Sequence, residues 1–226
     1  KEQHDAYLSS IEKRRRHIPL QHILGYQEFM GLKFQVTPQV LIPRQDTETL
    51  VEEVLRFLHD GMHILDVCTG SGCILLSLLR YSNDCVGVGC DISGEALKVA
   101  DKNAAALGIE AEFIQSNLFE NIDGKYEIIV SNPPYIASGE IPGLMEEVRE
   151  HDPLMALDGG EDGLVFYREI TGKAGEFLYP GGMLFLEIGC RQAQAVGEYM
   201  KGAGYQDITV CRDLAGLDRV VYGVWR

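Results

Sequence analysis

Apolar residues recur along this chain in two rhythms, and the change between them comes at residue 62. Upstream, residues 4–16 have helical spacing and end in the basic run Lys13–Arg16, which reads as a solvated helix end. Residues 27–42 hold two short alternating segments around Gly31 and predict a β-hairpin lying outside the core that follows. Asp46 and Thr47, after Pro43, are the expected caps of an amphipathic helix carrying Leu50, Val51, Val54, Leu55 and Leu58. From residue 62 onward strands alternate with helices. Strands are predicted at 62–68, 85–91, 110–117, 126–132, 183–189, 208–214 and 218–225. Helices are predicted at 73–80, from the Ser93 cap through Leu107 to a stop at Gly108, at 163–178 after a loop region, and at 191–201. A turn at Pro180–Gly182 leads into the fifth strand of this run. Repeated β-α units imply an α/β fold, a mostly parallel sheet covered on both faces, and the closing strand pair places one antiparallel strand in it.

Composition narrows the function classes. A chain of 226 residues and 25.1 kDa suits one α/β domain with an appendage. The net charge of −14 makes it a poor match for a nucleic-acid backbone, which needs a basic footprint. No apolar stretch approaches the ~18–20 residues of a membrane span, and no secretory signal opens the chain. It starts at Lys1 rather than Met, so upstream sequence is expected. The 6 cysteines include no C-x-x-C and no partner at zinc spacing, so reduced, mostly buried thiols in a cytoplasmic protein are expected, with no metal site.

Three constellations carry chemistry. Asp66-Val67-Cys68-Thr69-Gly70-Ser71-Gly72 closes the first core strand, at the sheet edge where doubly wound folds bind ligands. A dinucleotide fingerprint would put a third glycine at position 75, which is Leu75; that weakens a nicotinamide reading without excluding it. S-adenosylmethionine (SAM) has no phosphate and needs only the close turn. Asp91, 19 residues after Gly72 at the second strand's end, is placed to accept from ribose hydroxyls, which both cofactors carry. Asn132-Pro133-Pro134-Tyr135 follows the fourth strand. The prolines fix φ and remove two donors, leaving carbonyls free to accept, and the Asn carboxamide adds an acceptor. Such a set suits a planar substrate bearing an –NH2 group, so Asn132, Pro133 and Tyr135 are the candidate catalytic residues and Asn132–Tyr135 the candidate substrate grip. A glutamine side chain and an exocyclic base amine both satisfy that grip. A non-catalytic binding module would need the pocket without it.

These residues resemble a known family, the HemK-type protein-(glutamine-N5) methyltransferases. The resemblance runs over nearly all of residues 19–226. It takes in PLQHILG (19–25), Glu28-Phe29 with Gly31, VLIPRQDTE (40–48), LDVCTGSG, Asp91 and NPPY. Downstream it continues through HDPLMALDGGEDG (151–163), Glu187-Ile188-Gly189 and Asp218-Arg219. NPPY alone is shared with DNA and RNA amino methyltransferases, whereas the hairpin and the 151–163 segment are more specific. The resemblance implies a Rossmann-like class I fold and methyl transfer from SAM to a glutamine of a peptide chain release factor, with a ribosomal-protein glutamine or a base amine as alternatives. It implies cofactor contacts from Asp66, Cys68–Gly72, Asp91, Asn117, Leu118 and Asn132. A cytoplasmic monomer that touches no nucleic acid or membrane is expected. Residues 1–18 then read as the remnant of a longer helical region, 19–45 as linker and hairpin, and 46–226 as the methyltransferase domain. The chain departs from the family at Asn117, where Asp is common, and at Gln45, where Pro is. The hairpin is expected to serve substrate docking rather than chemistry.

Overall fold

The computed structural model describes residues 2–226. A seven-stranded sheet forms its centre, made of β3 (His63–Val67), β4 (Val86–Asp91), β5 (Glu112–Gln115), β6 (Tyr126–Ser131), β7 (Leu178–Glu187), β8 (Gln206–Arg212) and β9 (Asp218–Val224). Their order is β5-β4-β3-β6-β7-β9-β8. All neighbours are parallel except β9, which runs against both β7 and β8, as the closing strand–turn–strand predicts. The chain leaves β3 toward one edge and returns to the other side of β3 as β6. The topological switch point therefore falls between these two strands, which is where open α/β sheets bind ligands.

Helices α3 (Glu48–Leu55), α4 (Cys73–Arg80), α5 (Gly94–Leu107), α7 (Val165–Lys173) and α8 (Ala193–Ala203) cover the sheet. One packed layer joins Leu65, Ile129, Leu184 and Val221 to Tyr167, Ile170, Val196 and Met200. The other joins Ile64, Ile128, Phe185 and Val220 to Leu50, Val54, Leu75 and Leu78. The apolar runs of the strands are buried on both faces, which is why they read as continuous rather than alternating.

The structure corrects several expectations. The hairpin is shorter than predicted, β1 (Tyr26–Phe29) with β2 (Leu32–Gln35), and residues 36–44 leave it as irregular chain. Nor does it lie outside the core: Phe29 and Phe34 are fully buried in the same layer as Leu50 and Ile64. Strand β7 begins at Leu178, so Pro180–Gly182 falls inside it rather than before it. Two short helices carry no sequence signal, α2 (Leu20–Leu24) and α6 (Glu146–His151). The long N-terminal helix α1 (Glu2–Arg15) is exposed, and Arg14 from its basic end donates to Glu147 of α6 at 2.9 Å instead of facing only solvent. Thr47 stands at the N-terminal cap position of α3, but neither it nor Asp46 caps the helix with its side chain. Both sit in a 3-10 turn before α3. The Thr47 hydroxyl accepts from Asn132 Nδ2 at 3.4 Å instead.

Candidate active site

The loop after β3 turns sharply, with Cys68, Gly70 and Gly72 all at positive φ (62°, 55° and 78°). Gly72 opens α4, and a Cβ there would crowd Ala100 and Leu76 at 3.2 Å. The loop is braced from three sides. Behind it, Asp66 is fully buried and accepts from the Thr69 hydroxyl at 2.6 Å. Burial pushes the Asp66 carboxyl up to about 7, and its Oδ1 has no partner. From β4, one Asp91 oxygen accepts from the Gly70 N–H and the other from the Ser93 N–H, each at 2.9 Å. Burial raises the Asp91 pKa, against the pull of those donors. From α5, buried Asn103 donates to the Ser71 carbonyl at 2.9 Å while its Oδ1 accepts from the Gln35 N–H at 2.7 Å. The hairpin and the glycine loop thus share one carboxamide.

The NPPY segment leaves β6 beside this loop, because Ser131 pairs in register with Val67 and its hydroxyl donates to the Val67 carbonyl at 2.6 Å. Residues 151–163 hold the segment from outside. Ile136 bridges Asp158, the Gly159 N–H donates to the Ile136 carbonyl at 2.8 Å, and Gln192 donates to the Tyr135 carbonyl at 2.9 Å. Gly163 has a φ of +71°, and a Cβ there would overlap the Tyr135 carbonyl oxygen. Gly159 and Gly163 are spacers that let two backbones touch.

Two cavities flank Asn132. The first, of about 740 Å³, is lined by Cys68, Thr69, Gly70, Ser71, Asp91, Asn117, Leu118, Asn132 and Pro134. The second, of about 700 Å³, is lined by Asn132, Pro133, Tyr135 and Glu187, with Gln21 and Arg44 among its other walls. Asp66 and Gly72, expected as contacts, are not on the first wall; they support the loop from behind. Asn117 is exposed and bonded to Glu120 at 2.9 Å, and Leu118 sits at φ 51° with its side chain buried. Tyr135 faces the second cavity, and burial together with the nearby Glu187 pushes its phenol up to about 12, so it stays neutral. Among the described residues no donor reaches the Pro133 carbonyl oxygen. The Cys68 thiol is raised by burial and by Asp91, and all six cysteines are free.

Residues 45–173 match the family model described as methyltransferase small domain. A release factor glutamine methyltransferase of Geobacter sulfurreducens is 45% identical over 214 residues, 94% of this chain and 75% of the relative. The chain belongs to the release factor glutamine methyltransferase family. A solved protein-(glutamine-N5) methyltransferase, release factor-specific, from Alicyclobacillus acidocaldarius is 30% identical with a TM-score of 0.51, over 84% of this chain and 98% of that one. A methyltransferase from Pyrococcus furiosus superposes with a TM-score of 0.67 at 16% identity, over 94% and 98% of the chains, and shares the fold.

Within this family member, residue-level reading missed a polar cluster against the second cavity. Glu187 ends β7 and is 2% exposed. Burial lifts its carboxyl to about 7, while the Thr47 hydroxyl, Arg219 and the Asn132 amide pull it back down. Arg219 is itself held by Asp213 at 3.0 Å and Asp46 at 3.2 Å. The signal was present: Glu187 is the single charge in the otherwise apolar run Met183–Ile188, and a buried charge without a partner is rare.

Proposed function

We propose that this protein transfers a methyl group from SAM to the side-chain amide nitrogen of a glutamine in a peptide chain release factor. The observation that carries the reading is the position of Asn132, the one side chain of the NPPY motif that borders both cavities. Family membership supplies the substrate class, since the relatives are named for release factor glutamine methylation.

The first cavity fits SAM. Its volume lies within the range of small-molecule sites. Glycines 70 and 72 keep the loop backbone bare, and Asp91 retains lone pairs beyond the two backbone N–H groups it accepts. In this reading Cys68–Ser71 and Leu118 contact the cofactor, Asp91 takes the ribose hydroxyls, and Asn117 lies by the base. When bound, SAM supplies a methyl on a cationic sulfur and leaves as S-adenosyl-L-homocysteine.

The remaining work falls to the chain. An amide nitrogen is a weak nucleophile because its lone pair is delocalised into the carbonyl. Asn132 Oδ1 and the Pro133 carbonyl are two acceptors for the two N–H groups of a glutamine amide, and accepting from them moves charge onto nitrogen. Pro133 and Pro134 fix that geometry with no donor of their own to compete. Placement of this kind can supply ~7–11 kcal/mol in favourable cases. The nitrogen sheds its proton to water after gaining the methyl, when it is most acidic. Residues 46–226 form the methyltransferase domain in this reading, with residues 19–45 packed against it. No described helix is long and apolar enough to cross a membrane, and a release-factor substrate places the reaction in the cytoplasm.

Incubation with radiolabelled SAM and either release factor, ribosomal protein or RNA and DNA tests the proposal. Label on a release-factor glutamine supports it. Label confined to nucleic acid or to ribosomal protein overturns it.

A further inference from the structure

Glycine at position 72 lets α4 pack closely, since a Cβ there would crowd Ala100 and Leu76. The same residue, at φ +78°, tolerates more than one orientation of the Ser71–Gly72 peptide plane. Ser71 lines the first cavity, so a loose plane would be a loose cofactor wall. A peptide unit is planar, with its carbonyl and N–H on opposite sides, and here both ends are pinned. The Gly72 N–H donates to the Thr69 carbonyl at 2.9 Å. The Ser71 carbonyl accepts from Asn103 Nδ2 at 2.9 Å.

Asn103 lies on α5 and is fully buried. Its remaining contacts are with the last residue of the hairpin. Oδ1 accepts from the Gln35 N–H at 2.7 Å, and Nδ2 also donates to the Gln35 carbonyl at 3.2 Å. A backbone N–H only donates and a carbonyl only accepts, so these three contacts fix which end of the carboxamide is which. Among the described residues β2 pairs with no strand but β1. The carboxamide serves its outer edge as a neighbouring strand would, taking an N–H and returning one to the same residue. Beyond Gln35 the chain follows α5 toward the cavity. Val36 and Val40 form one apolar cluster with Ala96 and Val99, and Val40 and Ala96 line the first cavity.

We propose that Asn103 is a positioning residue that fixes the Ser71 carbonyl against the end of the hairpin, so that affinity for the methyl donor depends on the hairpin being docked. Asn103 borders neither cavity; it acts through Ser71. The hairpin, expected from the sequence to serve substrate docking, thereby takes a part in cofactor binding. The proposal rests on the reading of the first cavity as the SAM site and is independent of the methyl acceptor.

Asn103→Ala keeps a good helix former in α5 and strands the Ser71 carbonyl. Calorimetry with S-adenosyl-L-homocysteine (SAH) should show Kd rising about fivefold or more, the lower end of ordinary coupling between two sites. A merely structural role would lower the melting temperature and leave the affinity of the folded protein unchanged. Gln35→Pro removes the N–H that Asn103 accepts and leaves the residues of the first cavity in place. It should also weaken SAH, and it should add nothing in an Asn103→Ala background. Unchanged affinity in either folded single variant, or losses that simply add, overturns the proposal. Wild type supplies a measurement that needs no variant to fold. Coupling is reciprocal, so saturating SAH should slow solvent exchange of the Gln35 amide hydrogen by about the same factor, read by NMR on 15N-labelled protein. Exchange indifferent to SAH overturns the proposal. None of these readouts uses a methyl acceptor. If they come out as expected while no glutamine is methylated, the acceptor proposed above fails and the role of Asn103 stands.

Discussion

Gly163→Ala is the sharpest test of how the NPPY segment is held. Two costs apply at this position. Its φ of +71° lies in the left-handed region, which charges an L residue about 1–2 kcal/mol. The new Cβ would also overlap the Tyr135 carbonyl oxygen and sit 3.0 Å from Gln192 Nε2; relieving overpacking of this kind costs ~1–3 kcal/mol. Gly108→Ala supplies the control. Its φ is +65°, and a Cβ there meets nothing within 4 Å. It should lose the backbone cost alone. At about 2–4 °C per kcal/mol for a chain of this size, Gly163→Ala should melt roughly 2–12 °C below Gly108→Ala by calorimetry or circular dichroism. The overlap is relieved by moving Tyr135, and a shift of about 1 Å at a reacting centre costs about 10²-fold in rate. Gly163→Ala should therefore lose kcat while SAM affinity holds, and Gly108→Ala should keep both. Equal melting temperatures, or equal kcat, would refute the spacer role.

Asp91→Ala should weaken SAM binding by ~1.5–3 kcal/mol, the range for a hydrogen bond to a charged group; unchanged calorimetric affinity in a folded variant would sink the ribose assignment. Asn132→Ala should leave the fold intact and lower kcat by ~10²–10³, as losing one preorganised polar contact does; near wild-type turnover of a glutamine substrate would remove it from the grip. Asp66 bears on stability against pH. Its carboxyl is raised from 3.8 to about 7, so the folded chain keeps a proton that the unfolded chain has released. That contribution is complete below the unfolded pKa and is lost as pH rises through about 7. Asp66→Asn should thus gain on wild type in melting temperature between pH 5 and pH 8, and a constant difference across that range counts against it.

The alternation of strand and helix was legible because the central strands are short and mostly apolar, such as Leu65, Ile129 and Leu184 with their neighbours, and turn residues separate them from the helices. The same grammar failed where long-range partners overrule local ones. Asp46 and Thr47 have the chemistry of caps, but Arg219 and Asn132, distant in sequence, take their side chains. Helix α2 has no buried residue and α6 has none either, so neither leaves a periodic stripe to read. The hairpin looked peripheral because its alternation is short; only the fold reveals that Phe29 and Phe34 complete a layer begun by α3 and α4. At the candidate site, the glycine loop, Asp91 and NPPY could be singled out from the sequence because each is defined by its neighbours, and the fold brings them to one cavity. Thr47 and Glu187 were not, since Thr47 meets Asn132 across 85 residues and Glu187 joins Asn132 only as another wall of the second cavity.

Asn132 stands in the partition between two chambers, and a partition cannot be rebuilt from one side. Any replacement that reshapes it for a different methyl acceptor also redraws the wall seen by the donor. Redesign of acceptor preference therefore has more freedom at Gln21 and Tyr135, which border the second chamber alone, than at Arg44, which borders both.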